Sequence, residues 1–111
     1  MHTMKLQAKY FDFILNGTKK YEIRLNDEKR RLIKIGDSIE FLKEPDLEDR
    51  IVYEVSNLLF FDNFSSLFDS IDIKYLADSS VSCDDLKNDL EKFYPIEKQL
   101  LYGVVAIELK K

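Results

Sequence analysis

Residues 9 to 25 carry two hydrophobic rhythms in succession. Phe11, Ile14 and Leu15 recur at helical spacing, with Tyr10 and Phe13 widening the apolar face, and predict an amphipathic helix ending near Asn16. Gly17 follows, where a helix end favours a residue tolerant of positive φ. The period then drops to two. Tyr21, Ile23 and Leu25 alternate with Lys20, Glu22 and Arg24, the pattern of a strand with one buried face. On such a strand Glu22 and Arg24 share a face, roughly 6 to 7 Å apart. Lys19 sits in the turn that feeds it.

The same reading extends along the chain. Residues 2 to 6 begin a short strand. Asn26 is placed to start a short helical piece, with Asp27 and Arg31 at a pairing distance of four. Leu32, Ile33 and Ile35 are expected to turn inward before the Gly36-Asp37 turn. Strands are predicted over 38–42, where Ile39 and Phe41 alternate with polar neighbours, and from 51 to 55, extending toward Phe60. Pro45, Asp46, Glu48 and Asp49 mark a solvated connection between them. Asp62 or Asn63 caps a helix that buries Phe64, Leu67, Phe68 and Ile71. Residues 72 to 81 read as a loop or single turn around Tyr75 and Leu76. Ser82, followed by Asp85 and bracketed by Val81 and Leu86, has the spacing of an N-cap with a hydrophobic staple. Leu86, Leu90 and Phe93 continue a buried stripe to Tyr94, and Pro95 ends that helix or begins a new turn. Residues 102 to 109 are nearly continuous in apolar side chains, as in a strand inside a closed or strongly curled sheet. Together these elements predict an α+β fold: one domain over residues 1–111, a small β-barrel with two or three helices packed on it.

Composition supports a real core. The chain is 45% hydrophobic, with eight Phe and six Tyr, enough bulk to fold without disulfides. Its single cysteine, Cys83, excludes an intrachain disulfide and a cysteine-rich metal site, and reads as structural or incidental. The one histidine, His2, lies beside the starting Met and is expected to be mobile, which removes the usual base of a nucleophile triad. No metal-ligand spacing and no glycine-rich phosphate loop occurs, so neither metal nor cofactor is expected. No apolar run reaches the length of a membrane span and no basic-then-apolar leader is present, so the expectation is a soluble, cytoplasmic protein with no membrane partner.

The net charge of −4 is unevenly spread. Residues 1–36 hold nine Lys or Arg against four Asp or Glu; the remainder holds eight against seventeen. A protein that coats a long duplex needs many phosphate contacts, which this balance denies it. A local anion-binding patch on one side remains, and a small ligand or a few nucleotides suits it better than a duplex.

Two cations beside a carboxylate, Lys19 and Arg24 with Glu22, suit a phosphate, a carboxylate or a nucleobase edge. The same residues are also compatible with a solvated strand face and ordinary ion pairs. The stretch Gly17-x-Lys19-x-x-Glu22-x-Arg24, with Asp27-Glu28-Lys29-Arg30 and Gly36-Asp37 after it, resembles the signature of the ASCH domain, a compact relative of the PUA RNA-binding domain. Tyr94-Pro95-Ile96-Glu97-Lys98-Gln99 and Tyr102-Gly103-Val104-Val105-Ala106-Ile107 are similar to its closing segment. The resemblance implies a PUA-like barrel with helices outside and a cleft where the two meet. It implies that Lys19, Arg24 and Lys29 or Arg30 hold phosphate, and that Glu22 accepts from a base amino group or holds Arg24. It further implies that Tyr94 stacks on a ring, while Glu97 closes the cleft or pairs with a basic residue.

Some members of the wider group are amidohydrolases of modified cytidines that use a lysine after this glycine, a nearby threonine and a glutamate elsewhere. Lys19 matches the lysine. Glu22 stands at the threonine position, and residues 60 to 74 offer aspartates but no glutamate. An RNA- or nucleotide-binding module, with a short single-stranded RNA or a small nucleotide or nucleoside as its partner, is therefore the first expectation. A small amidohydrolase of acylated or otherwise modified nucleosides, with Lys19 and Glu22 moving the proton, is the second. A protein-interaction domain using its acidic face is the third.

Overall fold

A computed structural model describes residues 1–111. Five strands, β1 (His2–Leu6), β2 (Tyr21–Leu25), β3 (Ser38–Lys43), β4 (Arg50–Phe61) and β5 (Val104–Lys110), form one sheet in the order β1-β3-β4-β5-β2. β1 runs parallel to β3 and all other neighbours are antiparallel. Five α-helices accompany it: α1 (Ala8–Leu15), α2 (Phe64–Ser70), α3 (Ile73–Leu76), α4 (Cys83–Phe93) and α5 (Ile96–Tyr102). The result is a curled half-barrel with helices packed on it, the α+β class that the hydrophobic pattern predicts. The short α3 and α5 bring the helices above the expected two or three.

The curl has a local cause. Residues 50–54 of β4 pair with β3, residues 54–61 pair with β5, and the register shifts between Val55 and Asn57. An extra residue at such a point bends a strand and increases its twist. The bend lets one strand serve both halves of the sheet. Two cores follow, one on each side. Inside the curl lie Met4, Phe11, Ile14, Ile39, Phe41, Val55, Val105 and Ile107. Between the outer face and the helices lie Ile23, Leu25, Phe64, Leu67, Leu76, Leu86, Val104 and Ala106. Val104 through Ile107 are therefore buried on both faces, which explains the unbroken apolar run of β5.

β2 is also covered on both faces. Ile23 and Leu25 stand opposite Ala106 and Val104 and share their outer core, whereas Glu22 and Arg24 stand opposite Ile107 and Val105, which face into the curl. The face expected to be polar and open is enclosed.

Several local expectations hold. Asn63 accepts from the Ser66 amide at 2.8 Å, and Ser82 accepts from the Asp85 amide at 3.1 Å, as caps of α2 and α4. Others are corrected. Asp27, not Asn26, accepts from the Arg30 amide at 3.1 Å, and only a 3-10 turn (Arg30–Leu32) follows. The Asp27–Arg31 pair does not form, because Arg31 Nε donates to the Asn26 carbonyl at 2.8 Å. Leu32 and Ile35 are 68% and 62% exposed and only Ile33 is buried, since so tight a turn cannot aim successive side chains the same way. His2 is held in β1 with Nε2 2.9 Å from Asp37 Oδ2. Along α4 the stripe lifts off the core: Leu86 is buried, Leu90 half-buried, and Phe93 62% exposed.

Candidate functional site

The turn after α1 fixes the site's first residue. Gly17 adopts φ +88°, a left-handed conformation that costs glycine little. The Lys19 amide then bonds back to the Phe13 carbonyl at 2.9 Å, and the Lys20 amide donates to the Tyr75 carbonyl at 2.7 Å. So anchored, the Lys19 side chain runs inward and is buried. Its Nζ donates to the Leu76 carbonyl at 2.7 Å, lies 3.4 Å from Glu22 Oε1, and sits 5.8 Å from the centre of the Tyr10 ring.

Glu22 and Arg24 continue the chain of contacts. Arg24 Nε donates to Glu22 Oε2 at 2.8 Å, and Arg24 Nη2 donates to the Lys5 carbonyl at 3.0 Å. Each oxygen of one buried carboxylate thus faces its own cation. Burial pushes the Glu22 carboxyl up, but Arg24 and then Lys19 outweigh it and hold the group below the ordinary range. Burial pushes the Lys19 ammonium down, and Glu22 restores it only in part. Arg24 is disfavoured by burial, yet Glu22 and the neighbouring Tyr94 phenol raise it above the usual guanidinium value. No buried side-chain nitrogen or oxygen in the molecule lacks a partner.

These residues floor a cleft of about 610 Å³, inside the size range typical of small-molecule sites. Two unpaired strand edges bound it. In β2 the even positions bond to β5, as in Leu109 N–H to Lys20 O and Asn26 N–H to Gly103 O, so Ile23 turns its own amide and carbonyl outward. Ile23 lines the cleft. Across from it the edge of β1 contributes Thr3 and Lys5. A third wall comes from α4 and the residue after it, with Leu90, Phe93 and Tyr94. Lys29 and Arg30 complete the lining. The Arg30 guanidinium makes no ion pair within 4.0 Å; burial lowers it, Arg24 lowers it further by repulsion, and Asp27 restores it only in part.

Of the residues that the sequence singles out, Lys19, Glu22, Arg24, Lys29, Arg30 and Tyr94 meet around this one cleft. Glu97 does not. It lies in the first turn of α5, exposed and outside the lining, with no cation in pairing range. Gln99, from the same closing segment, is buried. It accepts from the Phe64 amide at 3.1 Å and donates to the Tyr94 carbonyl at 2.9 Å, which fixes the backbone of Tyr94. Sequence reasoning missed Tyr10, Asp89 and Lys5. The Tyr10 hydroxyl donates to Asp89 Oδ2 at 2.7 Å and ties α1 to α4 along the cleft. The available signal was a carboxylate three residues after Leu86, on the apolar side of α4. No three His, Cys, Asp or Glu side chains converge as a metal cluster would require.

The profile of the ASCH domain matches residues 4–111. This chain belongs to the ASCH domain family. The ASCH domain belongs to the PUA-like superfamily, whose domains are broadly linked to nucleic-acid or nucleotide interactions. A crystal structure of the hypothetical protein PH0355 is 33% identical, with a TM-score of 0.84 over 97% of this chain and 95% of that one. Protein PF0455 from Pyrococcus furiosus, solved in solution, is 29% identical, with a TM-score of 0.74 over 98% and 94%. ASCH from Zymomonas mobilis shares only the fold, at 11% identity and a TM-score of 0.68 over 98% of this chain and 66% of that one. No curated protein matches the chain. No helix of this ASCH domain is long and apolar enough to cross a membrane.

Proposed function

We propose that this ASCH domain binds a nucleotide, or a nucleotide unit of a short single-stranded RNA, in the cleft between β1, β2 and α4. The observation that carries the reading is the lining itself. Five basic residues against three acidic ones gather around a single cleft in a chain whose net charge is −4. The Arg30 guanidinium, which forms no ion pair and is disfavoured by burial and by Arg24 more than Asp27 restores it, gains from an anion, and Lys29 is exposed beside it in sequence. A phosphate there relieves the repulsion. Glu22 keeps unused lone pairs after its two ion pairs, so it accepts from a base amino group, while the outward amide and carbonyl of Ile23 read a neighbouring edge. Tyr94, half-buried and tilted 47° against Phe64 at 6.0 Å, supplies a fixed aromatic wall.

Amide-resonance mapping tests this. Addition of a short single-stranded RNA or a nucleoside monophosphate is expected to shift resonances of Lys5, Lys19, Ile23, Arg24, Arg30 and Tyr94. Shifts confined to the acidic β3–β4 connection, or none at saturating ligand, would refute it.

A second reading, hydrolysis of an acylated nucleoside, draws on the lowered Lys19 ammonium beside Glu22. Its burden is that Nζ already donates to the Leu76 carbonyl at 2.7 Å. Release of a carboxylic acid from acylated nucleosides, abolished by Lys19→Met, would favour it over binding alone.

A further inference from the structure

We infer that the mouth of the cleft carries a second base platform, Phe93, so that the ligand is a single strand of at least two nucleotides. The inference rests on the nucleotide reading of the cleft and adds the length and arrangement of what enters it.

Phe93 stands last on the apolar stripe of α4, where helical spacing calls for core, yet it is 62% exposed. A lone exposed aromatic is unremarkable on most surfaces. This one lines the same cleft as Lys29 and Arg30, and its sequence neighbour Lys92 is also exposed. An aromatic face among cations is the surface on which single-stranded bases stack. By contrast, the aromatic cluster of α2, Phe64 and Phe68, lies in and against the helix-side core.

The geometry favours two bases over one. α4 ends at Phe93, and Tyr94 leaves it with φ −129° and ψ 76°. The two rings consequently sit 6.3 Å apart with 55° between their planes. Such rings cannot sandwich a single flat base. Each offers its own face: Tyr94 is half-buried against Phe64, while Phe93 is open to solvent at the mouth. Two adjacent bases splayed from one another, as in recognised single-stranded RNA, fit that pair of faces. The cations of Lys29 and Arg30 are then available to the phosphate that joins them.

The test compares a ribonucleoside monophosphate with the dinucleotide of the same base by titration calorimetry, on the wild type, Phe93→Ala and Phe93→Trp. Stacking on an exposed aromatic corresponds to roughly five-fold or more in affinity. The dinucleotide is expected to bind the wild type tighter by at least about that factor, to lose the advantage in Phe93→Ala, and to keep it in Phe93→Trp. The thermal midpoint should be unchanged in Phe93→Ala, because an exposed ring contributes little to folding. Equal affinity for the two ligands, or an advantage that survives Phe93→Ala, overturns the second platform while leaving the cleft reading intact. Failure of both ligands to bind the wild type overturns the cleft reading, and the platform with it.

Discussion

Arg24 donates to the backbone carbonyl of Lys5 across 3.0 Å, and this side-chain bond spans the two edge strands of the sheet. Where a closed barrel would continue its backbone ladder, this half-barrel has one guanidinium and a cleft. The same guanidinium holds Glu22 at 2.8 Å. The closure of the fold and the floor of the candidate site are therefore one structure.

Arg24→Ala should accordingly be costly. It removes one of the two cations that neutralise a buried carboxylate and unties β2 from β1. A loss of about 3 kcal/mol is expected in urea unfolding. Arg24→Lys keeps the charge but lacks the planar fork that reaches both partners, and should recover only part of that loss. An Arg24→Ala variant as stable as the wild type would show that the bond to Lys5 does not hold the edges together.

The pH dependence follows from Glu22. Its folded carboxyl titrates below the unfolded one, because Arg24 and Lys19 outweigh the effect of burial. Unfolding at low pH then takes up a proton, so the stabilisation is complete above about pH 4.5 and disappears as the pH falls through the folded value. Asp89, lowered first by its bond from Tyr10, acts with the same sign. Glu22→Gln is expected to lose about 3 kcal/mol at neutral pH, by leaving two buried cations uncompensated. The gap to the wild type should narrow on acidification. A gap that stays constant from pH 7 to pH 3 would mean that Glu22 is not held charged by its neighbours.

Tyr10→Phe isolates the strut between α1 and α4. The variant keeps the ring under Lys19 and loses only the 2.7 Å bond to Asp89. A destabilisation of about 1 to 2 kcal/mol is expected. Carboxyl titration by NMR should find Asp89 moved up toward its ordinary range; an unmoved Asp89 would contradict the bond.

Much of this arrangement is legible in the sequence where neighbours in space are neighbours in the chain. Glu22 and Arg24 are two apart on a strand, Ser82 and Asp85 are one helical turn apart, and both pairs meet as the periodicity requires. Lys19 was legible as a residue but not as a buried one, because its carbonyl partner, Leu76, belongs to a helix that the sequence pattern reads only as a turn. Tyr10 and Asp89 are 79 positions apart, and no local rule joins them. Phe93 shows the opposite failure. Its periodicity is that of core, but α4 rises from the sheet before reaching it, and helix trajectory is not written in spacing. Glu97 failed because α5 starts at Ile96 and turns its first-turn carboxylate to solvent.

The most direct test of the cleft is the affinity of a short single-stranded RNA for the wild type and for Arg30→Ala, titrated across salt concentrations. The Arg30 guanidinium lines the cleft, forms no ion pair, and is disfavoured by burial and then by Arg24. Its removal should therefore leave the thermal midpoint unchanged or slightly raised. Binding should be saturable and weaker in the variant. Losing one phosphate contact should flatten the dependence of log K on log salt by about 0.7. RNA affinity and salt slope unaffected by Arg30→Ala, or no saturable binding by the wild type, would contradict an anion-binding cleft.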